Sequence, residues 1–121
     1  MHINTDIIQS YHAHVYFDAD SPSETLARNL RDHAQDIFLE YIQSDEIYIG
    51  RFHQKPVGPH ATGSFMIGFQ PQHLTHVMPW LALNAVGLNI LIHPETGDDI
   101  KDHRDYAIWI GRPQPIDFSK L

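Results

Sequence analysis

The sequence predicts an α+β fold in which one antiparallel sheet carries two helices on one face. Three observations carry that prediction. Short runs rich in β-branched and aromatic residues recur along the chain, two longer stretches place apolar residues at three- and four-residue steps, and the two kinds follow one another as strand, helix, strand, strand, helix, strand. With 121 residues the chain has the length of one domain, at roughly 100–200 residues each. A single domain is therefore expected over residues 1–121, with its core at about 11–111. A chain of this size buries roughly two thirds of its unfolded surface and needs no disulfide or metal to fold.

Residues 1–10 read as a lead-in. Tyr11 to Phe17 is the first strand. Ser21-Pro22-Ser23-Glu24 then starts a helix, with Ser21 as N-cap, Pro22 in the first turn and Glu24 three residues after the cap. Leu26, Leu30, Ala34, Ile37, Phe38 and Tyr41 form its apolar stripe. Glu46 to Phe52 reads as a second strand, Lys55 to Pro59 as a stiff turn, and His60 to Phe69 as a third strand. Pro71 opens a second helix with Leu74, Val77, Met78, Leu81 and Ala85 as its stripe, Gly87 as its stop and Pro79 as a point of kinking or splitting. Leu88 to His93 is a fourth strand ended by Pro94, Glu95 to Asp102 an acidic loop, and Tyr106 to Ile110 a last short strand. The tail from Gly111 to Pro115 reads as extended. The order, βαββαβ plus one strand, is the ferredoxin-like layout. Two helices on one face leave the other face open, to be covered by a second subunit or to line a pocket, so a homodimer is expected.

Composition excludes several classes of function. No cysteine is present, which removes disulfide scaffolds, thiol nucleophiles and thiolate metal sites. Eight basic against 15 acidic side chains, a formal charge of −7, argue against a nucleic-acid surface. No apolar run reaches the roughly 20 residues of a membrane span, and Met1 to Asp6 lacks the basic start of a signal peptide. The expectation is an acidic, soluble, cytoplasmic protein without a nucleic-acid or membrane partner. Histidine is the unusual residue: ten of them outnumber all lysines and arginines, and they are dispersed rather than clustered as a tag. Imidazole titrates near neutrality and ligates borderline metals, so the excess bears on function.

Strand alternation locates them. In the first strand Ala13, Val15 and Phe17 belong to the apolar set, so His12, His14 and Tyr16 project from the open face. Leu88, Ile90 and Ile92 leave Asn89, Leu91 and His93 on that face, and Phe65, Ile67 and Phe69 leave His60, Thr62, Ser64 and Met66. In a strand order 4-1-3-2 the end of the fourth strand lies beside the start of the first, which brings His93 to His12 and His14, while His60 falls nearer the far end of the first strand. One histidine on such a face is ordinarily a hydrogen-bonded interface residue. Three on one rigid surface suit a mononuclear Fe(II), Mn(II) or Zn(II) site with open positions. Glu95, Asp98, Asp99 and Asp18 are the carboxylates at hand, and His2, His33, His73 and His76 read as surface residues. The His60-Ala61-Thr62 and His73-Leu74-Thr75 pair of H-x-T patterns is set aside because the second copy opens a helix. The His12-x-His14 pair lacks the following Glu of a cupin. The C-terminal Ser119-Lys120-Leu121 has the form of a peroxisomal address but arises easily by chance.

Several segments together resemble the DOPA 4,5-dioxygenase family: Tyr11 to Phe17, Lys55 to His60, Met78 to Asn84, Asn89 to Asp98, and Asp102 to Gly111. They span most of residues 11–111. The resemblance implies a small ferredoxin-like enzyme that opens a catechol ring with O₂ in the extradiol manner. In fungal relatives the substrate is DOPA. Fe(II) is the implied metal, with Zn(II) or Mn(II) as other occupants, and a small catechol and O₂ are the partners. The ligand candidates are His12, His14 and His93, with Glu95 or Asp98 as a carboxylate. His60 leads as acid/base, with His53 and His103 behind it. Arg51, Arg104 or Lys101 would hold a substrate carboxylate. Two other readings stand beside this one: a non-catalytic dimer that binds a metal or aromatic ligand, and a Zn-dependent hydrolase or isomerase at the same histidines.

Overall fold

The computed structural model describes residues 4–121; His2 lies outside the described residues. Five strands form one antiparallel sheet: β1 (Ser10–Phe17), β2 (Ile47–Ile49), β3 (Gly63–Phe69), β4 (Asn89–Glu95) and β5 (Ile108–Ile110). Their order is β2-β3-β1-β4-β5. Four helices accompany them: α1 (Pro22–Ile37), α2 (Leu39–Gln43), α3 (Leu74–Asn84) and α4 (Asp99–His103). The fold is thus α+β, as the sequence predicts. No helix among the described residues is long and apolar enough to cross a membrane.

The core forms where two periodicities meet. Ala13, Val15 and Phe17 of β1, with Phe65, Ile67 and Phe69 of β3 and Ile90 and Ile92 of β4, join one buried cluster with Ala27, Leu30 and Ala34 of α1 and Val77 and Leu81 of α3. Ser21 caps α1 through its Oγ, which accepts from Ser23 N–H at 3.2 Å. The buried line of α1 is Ala27, Leu30, Ala34 and Phe38 rather than the line expected: Leu26 and Ile37 are exposed. Phe38 leaves the helical region, ending α1, and α2 restarts beyond it. In α3 the helix runs on through Pro79, after a 3₁₀ turn over Pro71–His73.

Other boundaries differ for identifiable reasons. β3 starts at Gly63, not His60. A Cβ at Gly63 would lie 2.5 Å from the Phe17 ring, so only glycine lets the two strands close there. Residues before it leave the ladder, and His60 bridges Ile116 of the tail instead. Likewise β2 stops at Ile49, with His53 rejoining β3 through an isolated bridge to Ser64. Pro94 does not end β4 but sits within it, opposite Tyr11. β5 pairs only with Ile90–Ile92, so this stretch of β4 is an edge on that side, where a missing N–H is tolerated. The acidic loop contains α4, whose N-cap Asp98 accepts from Lys101 N–H at 3.1 Å.

The second face of the sheet is not open. His14, Tyr16, Leu91 and His93 are buried there, and their cover comes from the same chain. Trp109 of β5 stacks near Tyr16, the segment leading to β3 brings His60 over Tyr16, and α4 brings His103 against His93. These side chains therefore need no second subunit to cover them.

Candidate metal centre

Antiparallel register assembles the site. His12 is directly opposite His93 across β1 and β4, and His14, two residues on, projects from the same face opposite Leu91. One ring nitrogen from each of His12, His14 and His93 lies within 4.8 Å of the others. The closest pair is His14 Nε2 and His93 Nε2, 3.0 Å apart.

The hydrogen bonds around the rings fix their tautomers. His93 Nδ1 is 3.0 Å from the Pro94 carbonyl, which only accepts, so Nδ1 carries the proton and Nε2 the lone pair. His14 then donates its Nε2–H to His93 Nε2. Moving that proton to His14 Nδ1, the other neutral tautomer, leaves two lone pairs aimed at a common point. Behind His12, the Glu95 carboxylate is 3.1 Å from Nδ1 and 3.6 Å from His93 Nδ1. Glu95 therefore lies on the Nδ1 side of His93, opposite the Nε2 that meets His14, in the position of a carboxylate that orients an imidazole. Burial is the main cause of a lowered pKa at all three histidines. It acts with repulsion from His103 at His12, and with repulsion from neighbouring rings including His60 at His14; His93 falls to about 3. The shift at each ring favours the neutral form, the state a metal requires. The donor set, three neutral imidazoles, suits Fe(II), Mn(II) or Zn(II).

A cavity of about 260 Å³ opens beside His14, walled by Arg51, His53, His60, Tyr48 and Met66. A second depression of about 220 Å³ shares Tyr48 and Met66 with it and reaches His12. Gly68 floors that depression: a Cβ there would stand 3.3 Å from Met66 Sδ and 3.6 Å from the His12 ring.

The sequence-derived candidates separate in space. His60 does meet the far end of β1, where its Nδ1 is 2.6 Å from the Tyr16 hydroxyl, yet its ring also lies 4.2 Å from that of His14. Burial and His103 push the His60 pKa down to about 4. His53 is half-buried on the cavity wall. His103 stands behind His93, ring centroids 4.0 Å apart, with Nδ1–H donated to the Asp99 carbonyl at 2.7 Å. Of the three cations only Arg51 lines the cavity; Arg104 pairs with Asp105 at 3.0 Å and Lys101 is exposed on α4. Asp98 caps α4, and the exposed Asp18 offers its backbone to Ser21 and Ser23 at the head of α1.

Two residues were missed and one misread. Tyr16 shares the face of His12 and His14, and alternation could have flagged its hydroxyl. Asp102, fully buried, accepts from Thr96 N–H at 2.9 Å and Thr96 Oγ1 at 2.6 Å, which fastens the turn that carries His103. No sequence signal marked it among six nearby acidic and polar residues. His76 and His33 are exposed as expected, but His73 is buried.

An antiparallel α+β sheet whose one face gathers buried, neutral imidazoles beside a cavity defines a protein with a centre able to hold a metal ion. The chain belongs to the Dopa 4,5-dioxygenase family, whose pattern residues 11–120 match. It is 29% identical to "DOPA 4,5-dioxygenase" of Amanita muscaria over 94% of this chain and 50% of that protein. It is 30% identical to an "Uncharacterized 21.2 kDa protein" of Botryotinia fuckeliana over 97% of this chain and 66% of the other. The chain thus spans about half to two thirds of the length of these curated relatives. A crystal structure of a "putative dioxygenase" from Nostoc punctiforme aligns with a TM-score of 0.85 and 38% identity, covering 98% of this chain and 95% of that one.

Proposed function

We propose that this chain is a metal-dependent extradiol dioxygenase, a single ferredoxin-like domain that holds Fe(II) at His12, His14 and His93 and opens the ring of DOPA or a related catechol with O₂. The observation that carries the reading is the His14–His93 pair, with Nε2 atoms 3.0 Å apart in a buried wall beside a cavity of catechol size. Two imidazoles about 2.1 Å from one ion stand roughly 3.0 Å apart at a right angle and roughly 3.4 Å apart at a tetrahedral angle. The observed spacing, which the hydrogen bond between the two rings also gives, puts both nitrogens within reach of one ion, and the all-imidazole donor set suits Fe(II), Mn(II) or Zn(II) alike.

When bound, Fe(II) would supply the one-electron chemistry that lets a catechol react with O₂. The chain's own residues do the rest. Arg51 binds a carboxylate on the substrate tail at the cavity wall. Tyr16 donates its O–H to His60 Nδ1, so His60 presents Nε2–H and acts as a hydrogen-bond donor to an oxyanion that forms on the ring. His53, whose ring has no hydrogen-bond partner among the described residues, stands on the cavity wall and serves with His60 as the acid/base pair. His103 packs on His93 and holds that ring in place.

The test is O₂ uptake, with an absorbance scan for a new yellow product, on adding L-DOPA or simple catechols to chain reconstituted anaerobically with Fe(II). Catechol-dependent uptake above an iron-only control, abolished in His14→Ala together with iron binding, is the expected result. Iron demonstrably bound with no uptake for any catechol would overturn the reaction, and full iron retention by His14→Ala would remove that ligand.

A further inference from the structure

A second group of imidazoles lies apart from the sheet face, where α3 begins. His73 ends the 3₁₀ turn and His76 follows three residues later in α3, with their Nδ1 atoms 3.2 Å apart. On the other side of His73, its Nε2 is 2.9 Å from Glu46 Oε1, just before β2. A carboxylate at neutral pH only accepts, so Nε2 carries the proton and Nδ1 the lone pair, aimed at His76. Tyr41 of α2 packs on both rings, at 4.2 Å from His73 and 5.5 Å from His76, the latter nearly parallel at 9°.

Each feature is one that a metal-binding imidazole pair uses. The carboxylate behind the ring fixes the tautomer and raises the basicity of the far nitrogen, the aromatic face holds both ring planes, and the helical backbone fixes the spacing. His73 is buried and therefore rigid; His76 is exposed and gives access from solvent. A hydrogen bond from His76 Nδ1–H to His73 Nδ1 accounts for the same separation when no ion is present, and the shift of that proton to the exposed His76 Nε2 opens the pair to a cation.

We propose that His73 and His76 form a second divalent-cation site, for a borderline ion such as Zn(II), with Glu46 as the carboxylate that orients His73. The site shares no ligand with His12, His14 and His93 and does not depend on the reaction proposed above. Both donors stand at the start of α3, and Glu46 and Tyr41 tie that turn to the start of β2 and to α2.

The probe is Zn(II), titrated calorimetrically into metal-free full chain at pH 7.5. His76→Ala should lose one bound ion per chain relative to the unsubstituted protein. Because His76 is exposed, this variant keeps its fold, which circular dichroism verifies. In a His14→Ala background one ion should remain, and adding His76→Ala should remove it, along with the Zn(II)-induced rise in Tm. Glu46→Gln should keep the stoichiometry and weaken that event by about 10- to 100-fold. An unchanged stoichiometry and affinity in His76→Ala would overturn the proposal, whatever the other site binds. Should His14→Ala fail to fold, the comparison of the unsubstituted chain with His76→Ala alone decides the matter.

Discussion

The O–H of Tyr16 has His60 Nδ1 as its one partner among the described residues, at 2.6 Å, and that contact selects which nitrogen of His60 faces the cavity. Burial raises the Tyr16 pKa, so the phenol stays protonated, and with no other acceptor for it among the described residues its O–H is satisfied by donating to Nδ1. Tyr16→Phe should therefore leave iron stoichiometry unchanged while lowering kcat by about two- to tenfold, as the donor tautomer is no longer enforced and the ring loses its anchor; equal kcat in the two proteins would show that His60 needs no positioning. Arg51 makes a different demand, on binding alone. Arg51→Ala should raise KM about tenfold for catechols with a carboxylate tail and leave KM for unsubstituted catechol alone, at about 1.4 kcal/mol for a lost charge-assisted pair. A steady-state comparison of the two substrates reads it directly. At this scale the sequence was informative where side chains obey a period: His12, His14 and His93 follow from alternation and strand order. Glu46 behind His73 does not, because partners 27 residues apart are joined by the packing of α2, β2 and α3, which no local pattern carries.

At the scale of elements, α4 is the piece that short-range reading could not see. Five residues make a single turn or so of helix, too few for an apolar stripe to register, and the acidic run Asp98, Asp99, Asp102 looks like solvated loop. Its Asp98 cap and the buried Asp102 make it a fixed bracket for His103. The longer elements were legible because each repeats its period several times, although α1 turned by a fraction of a turn so that Ala27 rather than Leu26 faces the sheet. The bracket is testable. Asp102→Asn removes the charge and one accepting oxygen: the amide oxygen still accepts from Thr96 N–H, while the NH2 group meets the Thr96 hydroxyl, which must turn from donor to acceptor. It should cost about 2 kcal/mol, the order of a lost hydrogen bond to a buried charge, read as a fall in the urea midpoint at constant m. A midpoint within error of the unsubstituted chain would mean that α4 is held by its backbone and not by this carboxylate.

The whole molecule stores its histidines in a state that acid opposes. The cover over them was invisible to sequence reading because it is built from segments distant in the chain, β5, the lead into β3 and α4, all brought to one sheet face. That cover leaves His14, His60 and His93 buried, and burial is the first cause of each lowered pKa. In the unfolded chain these rings titrate near 6.5, whereas in the fold His60 falls to about 4 and His93 to about 3. Between those limits the unfolded chain binds more protons, so stability is full above pH 6.5 and declines as pH falls through the window toward 4. His60 and His93 each contribute about 1 kcal/mol per pH unit in that range, and His14 acts in the same direction. Glu95 works in the opposite sense, since burial, with Asp102 and Asp99, raises its pKa, but it is one group against three. The carboxylates with lowered pKa, Glu24, Glu46, Asp105 and Asp117, begin to count only below about 4.5. Urea denaturation of the metal-free chain should therefore show a midpoint that drops steadily between pH 7 and pH 5 with little change in m. Saturation with a divalent ion should raise the midpoint at pH 7 and steepen the loss on acidification, because the ion binds only neutral imidazole and competes with the same protons. A flat profile from pH 7 to pH 5 would mean that these rings are hydrated in solution, and the dry imidazole wall would then be absent.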